Sequence, residues 1–110
     1  MRIFLKASFP VEAGNRAIKD ASIGKTIQSI LDECKPEAAY FTDHGGQRTA
    51  FLFLDIQDAS QIPAVAEPWF LAFNASVEIH PAMNAADLAK AGPRIEQAVK
   101  KYGHLATAAH

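Results

Sequence analysis

Cysteine is nearly absent from these 110 residues: Cys34 stands alone, so no disulfide can form within the chain, which fits a reducing compartment. A basic excess is absent too. Eleven Lys and Arg stand against twelve Asp and Glu, a net charge of −1. That balance gives no electrostatic reason to expect nucleic acid or an anionic membrane as a partner. No apolar run nears the roughly 20 residues that span a bilayer. Met1-Arg2-Ile3-Phe4-Leu5 begins with a charge and apolar residues, but Lys6, Pro10 and Glu12 interrupt too early for a signal peptide. The expected location is cytoplasmic. There is no G-x-G-x-x-G or G-x-x-x-x-G-K loop, and no H-x-x-x-H or C-x-x-C spacing. No helix of the main unit carries a His to serve as a haem ligand. Metal and cofactors are therefore not expected.

What is present is a strong pattern of strands and helices. Arg48 to Ile56 follows the turn signal Asp43-His44-Gly45-Gly46, with Ala38 to Thr42 before it, and the two runs read as a hairpin. Ala50 to Leu54 is apolar without interruption. A strand shows alternate residues to opposite faces, so such a run asks for cover on both sides. Arg2 to Phe9 alternates Ile3, Leu5, Ala7 and Phe9 against a mixed face, and Pro10 ends it.

Val11 to Lys19 is polar; from Ile23 a stripe of Ile23, Ile27, Ile30, Leu31 and Cys34 marks a helix, with Ser22 as N-cap and a break expected near Asp20 to Gly24. Cys34 belongs to that stripe as a core residue. Asp58-Ala59-Ser60 opens a second helix bearing Ile62, Val65, Ala66, Trp69, Phe70 and Phe73, with Pro68 expected to kink it. Ser76 to His80 is the fourth strand. Asn84 and Asp87 form a capping box for a short turn. Gly92-Pro93 punctuates, and a last helix spans Pro93 to Tyr102, with Ile95, Val99 and Tyr102 on one face and Gly103 at its end.

The order β-α-β-β-α-β plus a C-terminal helix predicts a single α+β domain over residues 1–103, with a frayed tail at 104–110. This is a ferredoxin-like antiparallel sheet of order 4-1-3-2 with both main helices on one face. A ten-residue helix cannot cover the other face of four strands. A homodimer packed sheet on sheet is expected instead. Arg2, Lys6, Glu78 and His80 then flank that face, with Lys6 and Glu78 paired across the ladder.

Glu67-Pro68-Trp69-Phe70 followed by Ser76-Val77-Glu78-Ile79-His80-Pro81 resembles the pattern of dimeric α+β barrel proteins, particularly YCII-related and muconolactone-isomerase-like ones. Gly14 to Asp20 and Lys35 to Phe41 resemble small uncharacterised bacterial proteins of the same superfamily. The resemblance covers roughly residues 2 to 90, a normal size for one such unit. It implies a homodimer with a cavity between sheet and helices. Members include cofactor-free monooxygenases, isomerases, haem-degrading relatives and proteins without known activity, so the fold selects no chemistry. The His–Asp pair of the YCII group has no counterpart here, because the first strand carries no His.

Six residues are candidates for ligand contact: Asn15, Lys19, Tyr40, Arg48, Trp69 and His80. Asn15 and Lys19 belong to a polar cluster with Arg16, Asp20 and Lys25 at the suspected break, where irregular structure favours ligand contacts. Tyr40 and Arg48 are placed to project to one end or face of the sheet, where a phenol and a guanidinium suit a carboxylate or enolate oxygen. His80 stands beside Glu78, while Trp69 and Phe70 suit the core or a pocket wall. No catalytic constellation can be named. Two functions follow: a cofactor-independent isomerase- or monooxygenase-like enzyme acting on a small apolar or aromatic carbonyl or acid, or a non-catalytic dimeric module that binds a metabolite or a partner.

Overall fold

The structure, a computed structural model, describes residues 1–108. Strand β1 (Arg2–Ser8) leads to helices α1 (Val11–Lys19) and α2 (Ile23–Cys34), then β2 (Ala38–His44) and β3 (Gln47–Asp55). Helix α3 (Ile62–Phe73), β4 (Ser76–Pro81) and α4 (Ala85–Ala108) complete the chain. The strands form one antiparallel sheet in the order β2-β3-β1-β4, which is 4-1-3-2 from the other edge. This small α+β fold is compatible with a ferredoxin-like unit.

Local chemistry sets the boundaries. Pro10, which has no N–H to give the ladder, stands at the N-cap of α1. Gly45 and Gly46 take φ of 61° and 80°, which the two-residue hairpin turn requires. The break between α1 and α2 centres on Ala21, held at φ 60°. Ser22 stands at the N-cap of α2, but its side chain does not cap. Its own N–H donates to Asp20 Oδ1 and to the Ala17 carbonyl, each at 3.0 Å, which ties the turn between the helices without a side-chain cap on α2. Lys35 and Asn74 close α2 and α3 in the left-handed conformation. Asp58 and Gln61 form a capping box over the short 3-10 turn Ala59–Gln61 that feeds α3.

The register explains the core. Ile3, Leu5 and Ala7 lie opposite Leu54, Leu52 and Ala50, and all six are buried beneath the helices. Val65, Trp69 and Phe73 of α3 and Ile30 of α2 close over them. The Phe9 ring stacks on Phe73 at 4.5 Å and on Trp69 at 5.9 Å. Trp69 Nε1 is the one buried side-chain polar atom without a hydrogen-bond partner among the described residues. Ile62 and Phe70 fall off the buried stripe and are exposed, because the helix is wider than the seam it covers.

The opposite face has no cover. Phe4, Phe51 and Phe53 project there from the two central strands, half-buried by one another and by the rings of His44 and His80. Phe4 stacks on Phe53 at 5.1 Å and on Phe51 at 5.9 Å. The expected pair across the ladder is present: Lys6 Nζ lies 3.1 Å from Glu78 Oε2.

Helix α4 departs from expectation. Asn84 and Asp87 do form the reciprocal cap, each backbone N–H donating to the other's side chain at 3.1 and 2.8 Å. The helix then runs unbroken through Gly92-Pro93 and past Gly103 to Ala108. Pro93 is tolerated because the carbonyl it frees lies on an exposed helix, where water can satisfy it. A glycine costs only about 1 kcal/mol in a helix, too little to stop one here. The expected tail of 104–110 thus starts inside α4; residues 109–110 lie outside the described residues. The helix carries the radius of gyration to 18.7 Å, against about 13 Å for a compact chain of this length.

Replacing Trp69 with Ala should cost about 3–5 kcal/mol, since it empties the centre of the core. Urea unfolding of the two proteins measures that difference.

Candidate functional site

The end of β1, the start of β3 and both helices of the first crossover meet at one corner. Phe9 N–H, just past β1, still donates to the Arg48 carbonyl at 2.9 Å, which fixes the start of β3 beneath α1. Helix α1 comes in close because it buries Ala13, Gly14 and Ala17, all small. Arg48 shares the helix-side face with Ala50 and Leu52, and its side chain crosses Gly14. A Cβ there would stand 2.6 Å from Arg48 Nη1, so an alanine would push the guanidinium, the far end of a flexible side chain, out of this position. Nη2 donates to Asn15 Oδ1 at 3.1 Å. Asp43 is opposite Arg48 in the hairpin, yet no carboxylate lies within ion-pair distance of this guanidinium among the described residues.

Beside it lies a cleft of about 360 Å³ between α2 and the hairpin. Ile23 and Ile27 of α2, Phe9 and Phe41 form apolar walls, and the Thr42–Thr49 rung bounds it. Arg48 supplies the one charged group. The guanidinium itself is turned to Gly14 and Asn15, outside the apolar lining, and a rotation of this flexible side chain would bring the donors that Asn15 leaves free to the carboxylate of a small amphipathic acid held in the cleft.

Of the six candidates, the structure brings Asn15 and Arg48 together. Lys19, at the exposed end of α1, has no partner side chain among the described residues. Tyr40 and Arg48 do not share a face. Arg48 is registered with Asp43 and Tyr40 with Phe51, three positions apart, and strand alternation sends them to opposite sides. Tyr40 is 67% exposed on the open face. His80 is there too, its ring stacked 6.3 Å from that of Phe4. Trp69 is wholly buried core and lines no part of the cleft. Gly14, Ile23, Ile27 and Phe41 are residues that motif reasoning missed. A glycine inside a helix, and an aromatic on the helix-side face of an edge strand, were the signals for two of them.

The open face has a second polar group. His44 Nδ1 lies 3.3 Å from Lys6 Nζ, and its ring meets Phe51 edge-on at 6.2 Å. Arg2 pairs with Glu37 at 2.9 Å. The hydrogen bond from Lys6, together with its charge, holds the Glu78 carboxyl below the usual range. Burial pushes the half-buried Cys34 thiol up, consistent with an unreactive position on the core side of α2. No group of three His, Cys, Asp or Glu among the described residues could hold a metal ion. No described helix is long and apolar enough to cross a membrane.

No family model matches the chain, and no curated protein is significantly similar to it.

A carboxyl whose folded value is depressed stabilises the fold above the ordinary carboxylate range, and that contribution disappears as pH falls through the folded value. Glu78, Asp20 and Asp58 all shift in this direction. The urea midpoint should therefore fall on acidification below the carboxylate range, and less steeply in Glu78→Gln. Equal slopes would show that the Lys6–Glu78 pair adds nothing.

Proposed function

We propose that the protein is a homodimeric α+β barrel module that binds a small apolar or aromatic acid in the cleft between α2 and the hairpin. Arg48 takes the carboxylate, and Phe9, Ile23, Ile27 and Phe41 take the apolar body. The single observation that carries the proposal is an apolar cleft of about 360 Å³ lined in part by Arg48, whose guanidinium has no carboxylate partner among the described residues and rests against Gly14 and Asn15. Binding is favoured over turnover because no acid–base partner lines that cleft, and His44 and His80 stand on the other face of the sheet. The module is proposed to work in the cytoplasm and without a cofactor.

The dimer is proposed to form through the open sheet face. Phe4, Phe51 and Phe53 make an apolar centre, and two such faces pack about 10 Å apart with side chains interdigitated. Aromatics on central strands also serve as base-stacking platforms in RNA-binding sheets. Here the rim argues against that use, since Arg2 and Lys6 are each paired with a carboxylate and leave no basic excess. A neutral, mixed-charge rim suits a copy of itself.

Calorimetric titration with aromatic carboxylates and their uncharged amides tests the cleft. Acids should bind and amides should not, and Arg48→Met should weaken the acids on the order of 10- to 100-fold, the worth of a charged hydrogen bond. Gly14→Ala should hold or raise stability, by up to about 1 kcal/mol, while displacing the guanidinium and weakening the same acids. Equal binding by both variants would refute the site. For the assembly, Phe53→Glu should halve the mass seen by light scattering at micromolar concentration; an unchanged mass would refute the sheet interface.

A further inference from the structure

Helix α4 is 24 residues long, about 36 Å. Beyond its first turn it stands clear of the body, and Leu88, Ile95, Val99, Tyr102 and Leu105 are 50–63% exposed. An isolated amphipathic helix gains little from propensity alone and is ordinarily stabilised by what its apolar face packs against.

The stripe on α4 has a definite period. Leu88, Ala91, Ile95, Ala98, Tyr102 and Leu105 follow one another at steps of 3, 4, 3, 4 and 3. That is the a/d seam of a coiled coil, widened on one side by Val99 at e. Pro93 and Lys100 fall at f, the position farthest from the seam. Lys90, Glu96, Gln97 and His104 fall at b and c, in solvent. Every seam position is apolar and the irregular residue is turned away from it.

We propose that α4 pairs with α4 of a second copy as an antiparallel two-stranded coil, an interface separate from the open sheet face. Antiparallel pairing sets each a residue against a d residue of the other helix. Ile95 then meets Ala98, Tyr102 meets Ala91 and Leu88 meets Leu105, so large residues fill the space that small ones leave. Parallel pairing would instead stack Tyr102 on Tyr102 and Ala91 on Ala91, one layer too wide and the next too narrow. Charge agrees with the antiparallel choice. It sets Asp87 beside Lys101 of the other copy at both ends, and only Arg94 faces its own equivalent, at the centre. Asp87 Oδ2 takes the local cap and lies 3.7 Å from Arg2 Nη1, which leaves Oδ1 for a further cation, and Lys101 has no carboxylate partner among the described residues. A lipid surface fits less well, since the alanines make the apolar stripe shallow and discontinuous.

Cysteine cross-linking of the full chain tests this pairing, in a Cys34→Ser, Phe53→Glu background that removes the native thiol and disables the sheet face. The outcome then bears on α4 alone and is distinguishable from failure of the sheet dimer. At several hundred micromolar, Arg94→Cys should be joined to its own equivalent by a short bismaleimide. Gln97→Cys, on the outer side, should link at least tenfold less. Adding Ile95→Asp should abolish the Arg94→Cys product while circular dichroism keeps its strand signal. Equal linking at both cysteines, insensitivity to Ile95→Asp, or preferential linking of Ile95→Cys (the parallel arrangement) would overturn the proposal. So would α4-dependent binding to anionic phosphatidylserine vesicles without any cross-link.

Discussion

The structure depends on β3 being apolar on both faces. Ala50, Leu52 and Leu54 meet β1 residues beneath the helices, while Phe51 and Phe53 meet Phe4 on the other side. Burying the first set organises the two-layer core, with Trp69 and Phe73 as its cap. Leaving the second set open creates a surface whose cheapest remedy is another apolar sheet. The hydrophobic effect thus drives both folding and the proposed assembly from one strand.

The proposed function enters where that strand begins. Arg48 is the first residue of β3 to turn toward the helices, one alternation before the apolar run starts. Its long side chain cannot be accommodated in the core, so it lines the cleft and runs over Gly14 to Asn15. The geometry joins three sequence features far apart in the chain: a small-residue helix, a hairpin corner and the first turn of α2. An arginine without a carboxylate partner beside an apolar space is poised to accept an anion with an apolar body.

Much of this was legible in the sequence because period and punctuation act locally. Alternation in Arg2 to Phe9, the glycine pair at the hairpin and the stripe from Ile23 to Cys34 each follow from contacts within a few residues, and the structure has them. The Lys6–Glu78 pair was also within reach, because adjacency of β1 and β4 puts those residues on one rung. What eluded sequence reading depended on relative placement. Tyr40 and Arg48 looked like partners until register put them on opposite faces. Ser22 holds the N-cap of α2 without capping by its side chain, and its N–H is taken by Asp20 across a turn at Ala21, a position no propensity singles out. Gly92-Pro93 and Gly103 read as punctuation, yet on an exposed helix their cost is small and solvent can satisfy the freed carbonyl. The heptad spacing of α4 was present in the letters all along, hidden by those three residues.

The central claim is that an amphipathic acid lodges against Arg48 between α2 and the hairpin. Titrating benzoate into isotope-labelled protein and following methyl and amide signals by NMR tests it most directly. The account predicts saturable shifts at Ile23, Ile27, Thr42 and Thr49, with the Arg48 side-chain signals moving at the same rate, and none at His80 or Tyr40. Shifts confined to the open sheet face, or none at all, would contradict it.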